Sequence, residues 1–353
     1  MAAIPDEILS DILSRLPVKT LSRFKSVSRS WLSLISSPGF VKDHLRRALA
    51  GTPSTRVLTA NPFKSIDCET LEEIIDLDVG LRVGDNEWVH LLASHDGLIV
   101  LAVMKDDVLP EGGDIYLWNP ATGLFRQLPK PALDLSPCYY ELGFDSKIDD
   151  YKVLRHGCCF DSRDNVELVF EVLPLRANAW RQVSREPLFD GPVSAGVFLN
   201  KAIHWINTTG RIVAFDLENE NFMGFPPLPV NGKSIFCHRL SVHLGCLVTC
   251  HRYIDSPFQA WIMEEYGVES SWTKLFDITL DNFPIHDYYP YITLIAIARR
   301  GKAAVVRYQS SLFLYDMQKE TYEQLPVEGH PVWPEAKAYV QTLVSPLTEG
   351  FLD

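Results

Sequence analysis

The 353-residue chain has no run of about eighteen uncharged apolar residues, the length that a membrane-spanning helix needs. Its first residues, MAAIPDEILSDIL, lack a basic region and carry acids among the apolar positions, so we expect no secretory signal. The seven cysteines are odd in number and irregularly spaced, which without a signal predicts reduced thiols. These features predict a protein of the cytoplasm, the nucleus or both.

The motifs of common enzyme classes are also missing. NGKS at 231–234 ends like a phosphate-binding loop, but Pro227 stands where the first glycine is required. No G-x-S-x-G or H-E-x-x-H motif occurs. Cysteines and histidines between 237 and 251 form a metal-like cluster without a C-x-x-C knuckle, so buried thiols beside hydrogen-bonded histidines are the simpler interpretation. The sequence therefore predicts no catalytic residue, no metal and no cofactor.

Charge is unevenly distributed along a chain whose net charge is −12. Residues 1–50 contain eight Lys or Arg against four Asp or Glu, a balance of +4, so the remainder carries −16. An acidic body argues against general nucleic-acid binding, which depends on cations that contact phosphates. A basic N-terminal region suits an acidic protein partner, although a solvated helix face would have the same composition.

The first fifty residues have the apolar spacing of short helices. Pro5 and the two acids after it are typical of a first helical turn, and apolar residues then share one broad face until Pro17. The further helices that we expect are a second from about Lys19 to Val27 with Leu21, Phe24 and Val27 inward, a third that carries Trp31, Leu34 and Ile35, and a fourth with Ser37 as its cap and Pro38 as its first residue.

This region has more apolar side chains than about fifty residues of short helices can easily bury. Either the rest of the chain covers them or another protein does, and the spacing leaves both possibilities open. The stretch IPDEILSDILSRLPVKTLSRFKSVSRSWLSLISSPGFVKDHL, residues 4–45, resembles the F-box motif over its whole length. Ile4 replaces the usual opening Leu, and Ser28 replaces the Cys that plant members usually carry.

The resemblance implies that these helices dock on the small acidic adaptor of Skp–cullin–F-box ubiquitin ligases. It implies that Val27 and Trp31 hold three helices together and share the docking surface. The residues implied to face the adaptor are Ile4, Pro5, Ile8, Leu9, Ile12, Leu16, Pro17 and Leu21. Packing within the helical region is the alternative for any one of them.

A sequence repeat occupies most of the remaining residues. Five segments, WNPATGLFRQLP, VLPLRANAWRQV, FDLENENFMGFP, EEYGVESSWTKL and YDMQKETYEQLP, each have the pattern of a strand, a tight polar turn and an aromatic that leads a second strand. The aromatics are Phe125, Trp180, Phe222, Trp272 and Tyr322, about 49 residues apart on average. Another predicted strand pair precedes each segment, and four strands at this period are typical of propeller blades.

The two ends of the repeat region predict how the ring closes. AYVQTLVSP contains a strand with no following partners, and the first repeat, TRVLTA and TLEEIIDL, lacks an inner strand. Pairing the last strand with the first blade would remove an exposed edge. We therefore expect a helical F-box domain over residues 1–50 and a six-bladed all-β propeller over residues 51–353, with seven blades as the alternative.

The repeat region has a resemblance of its own. SHDGLIVL, LGFDSKIDDYKVLR, AIHWINTTGRIVAFDLENENF and YVQTLVSP are similar to successive motifs of the plant F-box-associated domain. This is the family of kelch-like F-box proteins that includes immune-receptor regulators and pollen S-locus F-box proteins. The motifs identify a scaffold and do not name what it binds.

The long connections between the predicted strands are the candidate site for a protein client. Alternate connections of a propeller emerge on the same face, so the long ones share one face, and loops on a rigid scaffold often carry recognition. The candidate client-binding residues are Asp287, Tyr288, Tyr289, Tyr291 and Trp333. Blade packing near strand ends is the alternative for Tyr291 and Trp333.

The resemblance thus implies a non-catalytic protein, the substrate receptor of a Skp–cullin–F-box ubiquitin ligase, with an adaptor and an unidentified protein client as partners. The alternative is a propeller enzyme or a carbohydrate-binding module whose N-terminal helices cap the ring. That alternative requires acids, histidines or a metal that converge on one propeller face. The sequence shows no such group.

Overall fold

In a computed structural model, four helices precede a ring of β-sheets. The structure describes residues 5–50, 55–70, 74–77, 83–84, 87–105, 113–160, 166–183, 194–207, 209–229, 236–252, 257–278, 292–298, 301–308, 311–327 and 336–347.

The helices occupy the first fifty residues. They are α1 (Asp6–Leu13), α2 (Val18–Phe24), α3 (Arg29–Ser36) and α4 (Pro38–Leu49). Pro38 is the first residue of α4, where its missing N–H has no helical partner to lose, and the Ser37 hydroxyl accepts the Phe40 N–H at 3.3 Å. The predicted start of the fourth helix is confirmed. The second helix ends at Phe24, earlier than predicted, and Val27 lies beyond it.

The strands follow without a further α-helix in the described part of the chain. The first twelve are β1 (Thr55–Thr59), β2 (Lys64–Asp67), β3 (Ile74–Asp76), β4 (Glu87–His95), β5 (Leu98–Lys105), β6 (Asp114–Trp118), β7 (Phe125–Gln127), β8 (Cys138–Asp145), β9 (Asp150–Phe160), β10 (Val166–Pro174), β11 (Arg181–Gln182) and β12 (Val197–Leu199). The next twelve are β13 (Ala202–Ile206), β14 (Ile212–Asp216), β15 (Asn221–Phe225), β16 (Phe236–His243), β17 (Cys246–Arg252), β18 (Phe258–Met263), β19 (Trp272–Ile278), β20 (Ile292–Ala298), β21 (Ala303–Tyr308), β22 (Ser311–Asp316), β23 (Thr321–Gln324) and β24 (Ala336–Val340).

These strands form six four-stranded antiparallel sheets, the blades of a propeller. Blades 2 to 6 each consist of four consecutive strands in chain order, from β4–β7 to β20–β23. Blade 1 has the order β24-β1-β2-β3. The prediction of six blades is therefore confirmed.

Blade 1 closes the ring with a strand from the far end of the described chain. Strand β24 pairs antiparallel with β1, in a register that runs from Thr55 opposite Val340 to Thr59 opposite Ala336. It takes the innermost position, which the first strand in chain order occupies in the other blades. The predicted closure is confirmed, and it pairs a sheet edge that would otherwise be open.

Six apolar clusters hold neighbouring blades together, one at each junction around the ring. Between blades 3 and 4 the rings of Phe170 and Trp205 lie 5.8 Å apart, edge to face. Between blades 6 and 1, Val305 and Val57 belong to one cluster and are fully buried. Blade 1 is therefore joined to blade 6 by side-chain packing as well as by its place in the ring.

The polar turns of the repeat share one backbone feature. In four blades a residue with a positive φ stands two positions before the repeated aromatic, and these residues are Gly123, Asn178, Glu220 and Glu320. At the start of two of these turns, the carboxylates of Asp216 and Asp316 accept two backbone N–H groups each. Such turns reverse the chain tightly, which places the aromatic at the head of the outer strand.

Candidate protein-binding surfaces

The four helices share a small apolar core. It consists of Leu13, Val18, Leu21, Ile35 and Phe40, together with Leu343 from the end of the described chain. Leu21 is completely buried there. The resemblance placed Leu21 on the adaptor surface, but its side chain packs within the helical domain and presents no surface to a partner.

One face of α1 remains uncovered. Ile8 and Ile12 lie one helical turn apart on this face, and their side chains are 54% and 49% exposed. Pro5 is exposed just before the helix, whereas Leu9 and Leu16 are half-buried against the helical core. Ile4 lies outside the described residues. An apolar surface therefore remains open on α1 and is not packed against the propeller.

Val27 and Trp31 have different surroundings. Val27 is 60% exposed, so it does not hold the helices together as predicted. Trp31 is half-buried, and its ring meets that of Phe24 edge to face at 5.3 Å, which links α3 to α2. Pro17 is exposed at the start of α2. Val27 therefore adds to the exposed apolar surface of the helices, whereas Trp31 packs between α2 and α3.

Asp11 fixes the orientation of α1. Its carboxylate accepts hydrogen bonds from Arg47 of α4 at 2.5 Å and from Arg15 at 3.0 Å. Desolvation raises the pKa of Asp11, but the two guanidinium groups outweigh it and hold that pKa below its usual value. The ion pairs tie the exposed face of α1 to the longest helix of the domain.

The helical domain sits on the propeller face that carries the short turns. Lys42 of α4 donates to the Asp149 carboxylate at 2.7 Å, and Ala121 packs against the helical core. Asp149 lies in the turn between the first two strands of blade 3, and Ala121 in the turn between the last two strands of blade 2. Successive turns of an antiparallel blade alternate between its two ends, so the longer connections emerge on the opposite face.

Residues 341–347, which we call the C-terminal segment, connect the ring to the helices. The side-chain amide of Asn119 donates to the carbonyl oxygens of Thr342 at 3.0 Å and Val344 at 2.7 Å. Leu343, between them, is buried in the helical core, and Val344 is buried between blades 2 and 3. Adjacent residues thus anchor the two domains to each other.

The predicted client-binding residues belong to two of the connections between strands. Asp287, Tyr288, Tyr289, Tyr291 and Trp333 all lie outside the described residues. They belong to the connections before β20 and before β24, which start at the face opposite the helices. Their role stays a prediction.

A buried acid–histidine cluster lies between blades 3 and 4, and the sequence pattern gave no signal of it. Glu141 accepts the Gly196 N–H at 2.9 Å and the Trp205 indole N–H at 3.2 Å, and its carboxylate lies 3.1 Å from His156 Nε2. Glu141 and the His156 side chain are about 1% exposed. The hydrogen bonds of the cluster join the two blades.

Metal and membrane sites were sought in the described residues. No three His, Cys, Asp or Glu side chains of these residues are grouped so that they could hold a metal ion, and none of their cysteines forms a disulfide. Of the cluster noted in the sequence, Cys250 and His251 are buried and Cys246 is half-buried. None of the described helices is long and apolar enough to cross a membrane.

Comparison with known families identifies the architecture. Residues 2–43 match the F-box domain, and residues 66–346 match the F-box associated beta propeller domain. The chain belongs to the F-box proteins with an F-box associated β-propeller. It is 28% identical to "F-box protein CPR1" of Arabidopsis thaliana, over 98% of this chain and 89% of that protein. It is 27% identical to "F-box/kelch-repeat protein At3g23880" of the same plant, over 97% of this chain and 96% of that protein.

The family assignment agrees with the two parts of the structure. The F-box match covers α1 to α3 and the first half of α4, including the exposed face of α1. The propeller match starts in β2 and ends within the C-terminal segment, so it includes the closing strand β24. An F-box protein with this ring is consistent with a role in substrate recognition.

Proposed function

We propose that this F-box protein is the substrate-recognition subunit of a Skp–cullin–F-box ubiquitin ligase. The observation that carries the proposal is the state of α1, where Ile8 and Ile12 are about half exposed while Leu13 on the same helix is buried. An apolar face left open beside a complete core is typical of a surface that a partner covers. The F-box match over residues 2–43 supports an adaptor of the Skp family as that partner.

The charge of the helices favours an acidic adaptor. Lys19, Arg23 and Arg29 are exposed on α2 and at the start of α3, near the ends of the helical core. Complementary charge at the rim of an interface speeds association and fixes orientation, while the apolar contacts provide most of the affinity. We propose that the residues that contribute to this interface are Ile4, Pro5, Ile8, Leu9, Ile12, Leu16, Pro17, Val27 and Trp31.

The propeller would hold the client on the face opposite the helices. The helical domain packs on the short-turn face through Lys42 and Leu343, so the client is placed on the face where the longer connections start. We propose that Asp287, Tyr288, Tyr289, Tyr291 and Trp333 contact the client there.

In this role the protein acts through proximity and supplies no nucleophile. One rigid chain would hold the adaptor at one end and the client at the other, which raises the effective concentration of client lysines near the ubiquitin-carrying enzyme. The C-terminal segment keeps the distance between the two ends fixed. We propose that this takes place in the cytoplasm, the nucleus or both.

The proposal is tested by the double variant Ile8→Asp with Ile12→Asp in the full chain. Two charged groups in place of two apolar contacts should weaken adaptor binding by roughly a hundredfold, because covering the exposed half of each Ile contributes about 1 kcal/mol and burying a carboxylate in its place adds a desolvation cost. Both side chains are about half exposed, so the variant should fold normally, as judged by circular dichroism. Adaptor binding is measured by co-purification and by titration calorimetry.

Ile148→Asp is the matched control, because Ile148 is 48% exposed on a short turn of blade 3 and lies outside the F-box domain. It should bind the adaptor like the wild type. Full adaptor binding by the folded double variant would refute the proposed interface.

A further inference from the structure

The centre of the ring contains a cavity that the proposed function does not use. Its volume is about 850 Å³, and its walls are formed by the innermost strands of all six blades. Cavities of roughly 300–1,000 Å³ are typical of small-molecule sites in proteins. The closed ring makes this cavity a preformed space.

Along one wall of the cavity, strand β16 has a charged residue first and exposed apolar residues near its end. Arg239 is exposed and forms no ion pair within the described part of the chain. Three and five residues further on, towards the short-turn end, Val242 and Leu244 are 41% and 56% exposed. Since a strand rises about 3.3 Å per residue, the guanidinium-bearing residue and the apolar end are about 10–16 Å apart.

Leu244 has a backbone conformation that its side chain does not favour. Its φ is +48°, in the left-handed region, at the turn between the first two strands of blade 5. The turns at the same place in blades 2 and 4 have Asp96 and Asn200 with similar φ values, and these residue types tolerate that region better. Because Leu244 is exposed, packing in the core does not explain the leucine. Strained residues of this kind often mark functional sites.

An aromatic side chain on the neighbouring blade forms a second apolar part of the wall. Phe198 of blade 4 lines the cavity. Its ring passes over Gly143 of blade 3, and its centroid lies 4.5 Å from that of the His95 ring in blade 2. A Cβ atom at position 143 would lie 2.3 Å from the Phe198 ring, so glycine is needed for this contact. The short-turn end of the cavity is therefore apolar on two sides, and Arg239, which forms no ion pair with another described residue, lies deeper in.

We propose that the central cavity binds an amphipathic carboxylic acid. The carboxylate would form a charge-assisted hydrogen bond with the guanidinium of Arg239, and the hydrocarbon chain would lie along Val242, Leu244 and Phe198. The carboxylate matches the positive charge of Arg239, and the hydrocarbon covers apolar side chains that water otherwise contacts.

Decanoate is the probe, added to the full chain and followed by thermal unfolding and titration calorimetry. At roughly ten times its Kd, decanoate should raise the unfolding midpoint by about 2 °C. Butyrate, which has the same head group and a short chain, should have little effect. Decyltrimethylammonium, which reverses the charge, should not stabilise the protein. Equal stabilisation by decanoate and decyltrimethylammonium, or none by decanoate, would overturn the proposal.

Two variants locate the site. Arg239→Met should abolish the effect of decanoate, whereas Arg211→Met, which removes an exposed arginine that does not line the cavity, should leave it unchanged. Leu244→Asn should weaken decanoate binding roughly tenfold without lowering the midpoint of the free protein, since asparagine suits the left-handed turn. Undiminished binding by Arg239→Met would refute the assigned carboxylate site.

Discussion

Blades 3 and 4 contain buried charged side chains whose replacement should destabilise the propeller. Lys152 is almost fully buried and contacts the carboxylates of Asp145 at 2.6 Å and Glu220 at 2.7 Å. Glu220 also pairs with Arg181, so two blades share one charge network. Such a network is stable only while every member is present, because a single buried charge without its partner is strongly destabilising. These residues therefore constrain the blades more than exposed ion pairs do.

His204 should make the stability of the propeller sensitive to acid. Burial within blade 4 lowers its pKa to about 4, below the value of about 6.5 in the unfolded chain. The unfolded chain therefore binds a proton between pH 6.5 and 4 that the folded chain does not, and stability falls as the pH falls through this range. From His204 alone we expect a loss of about 2 kcal/mol in the free energy of unfolding between pH 7 and pH 5.

His204→Gln tests this, because glutamine stays neutral and can still hydrogen-bond the Tyr266 hydroxyl, which lies 2.8 Å from His204 Nε2. Urea unfolding at both pH values gives the comparison. Between pH 7 and pH 5, the free energy of unfolding should fall by about 2 kcal/mol less in the variant than in the wild type. Identical pH slopes for the two proteins would contradict the assignment to His204.

At the scale of elements, the sequence predicted where helices start better than it predicted which of their apolar side chains are exposed. Ser37 and Pro38 have fixed local preferences, and α4 starts where they predict. Apolar periodicity predicted that Leu21 and Val27 share an inward face, but α2 ends at Phe24, so Leu21 is buried and Val27 is exposed. Which apolar residues remain open depends on how the helices pack together, and spacing along one helix does not contain that information.

The contacts of the C-terminal segment could not be predicted from the sequence either. Asn119 and Thr342 meet across more than two hundred residues, and no local pattern marks either one as a link between domains. The recurrence of the blade pattern, by contrast, allowed the ring and its closing strand to be predicted, because each blade repeats the same local requirements. The contacts of Leu343 with the helices occur once in the chain and are therefore visible only in the structure.

Asn119→Asp should loosen the helical domain while the ring stays folded. The substitution keeps the acceptor that binds the Ala121 N–H but replaces the amide donor of two buried carbonyls with a carboxylate. Leaving these carbonyls unsatisfied should cost about 2–4 kcal/mol locally. Hydrogen exchange should speed up in residues 341–347 and in α4, and remain slow in blades 3 to 6.

Asn207→Asp provides the matched control, because the Asn207 side chain only accepts hydrogen bonds in its described contacts. Exchange in α4 should then stay as slow as in the wild type. An unchanged exchange pattern in Asn119→Asp would show that the C-terminal segment does not anchor the helices.

At the scale of the whole molecule, the pairing of β24 with β1 completes blade 1 and so closes the ring. A chain that stops at residue 335 would lose the inner strand of blade 1 and the C-terminal segment together. We expect such a chain to lose its cooperative unfolding transition and to associate through the open edge of β1, as measured by circular dichroism and size-exclusion chromatography. A monomeric product with the wild-type melting midpoint would show that the ring does not need this strand.

Because β24 is synthesised late, truncated chains lack the strand that closes the ring. The ribosome makes β24 after the other described strands, whereas α1 to α4 emerge before all of these strands and have a core of their own apart from Leu343. A message with a premature stop codon in blade 5 or 6 would release a product with an F-box but no closed propeller. In the proposed ligase such a fragment would occupy adaptor molecules without delivering a client, so truncating alleles would interfere with the intact protein in heterozygous cells.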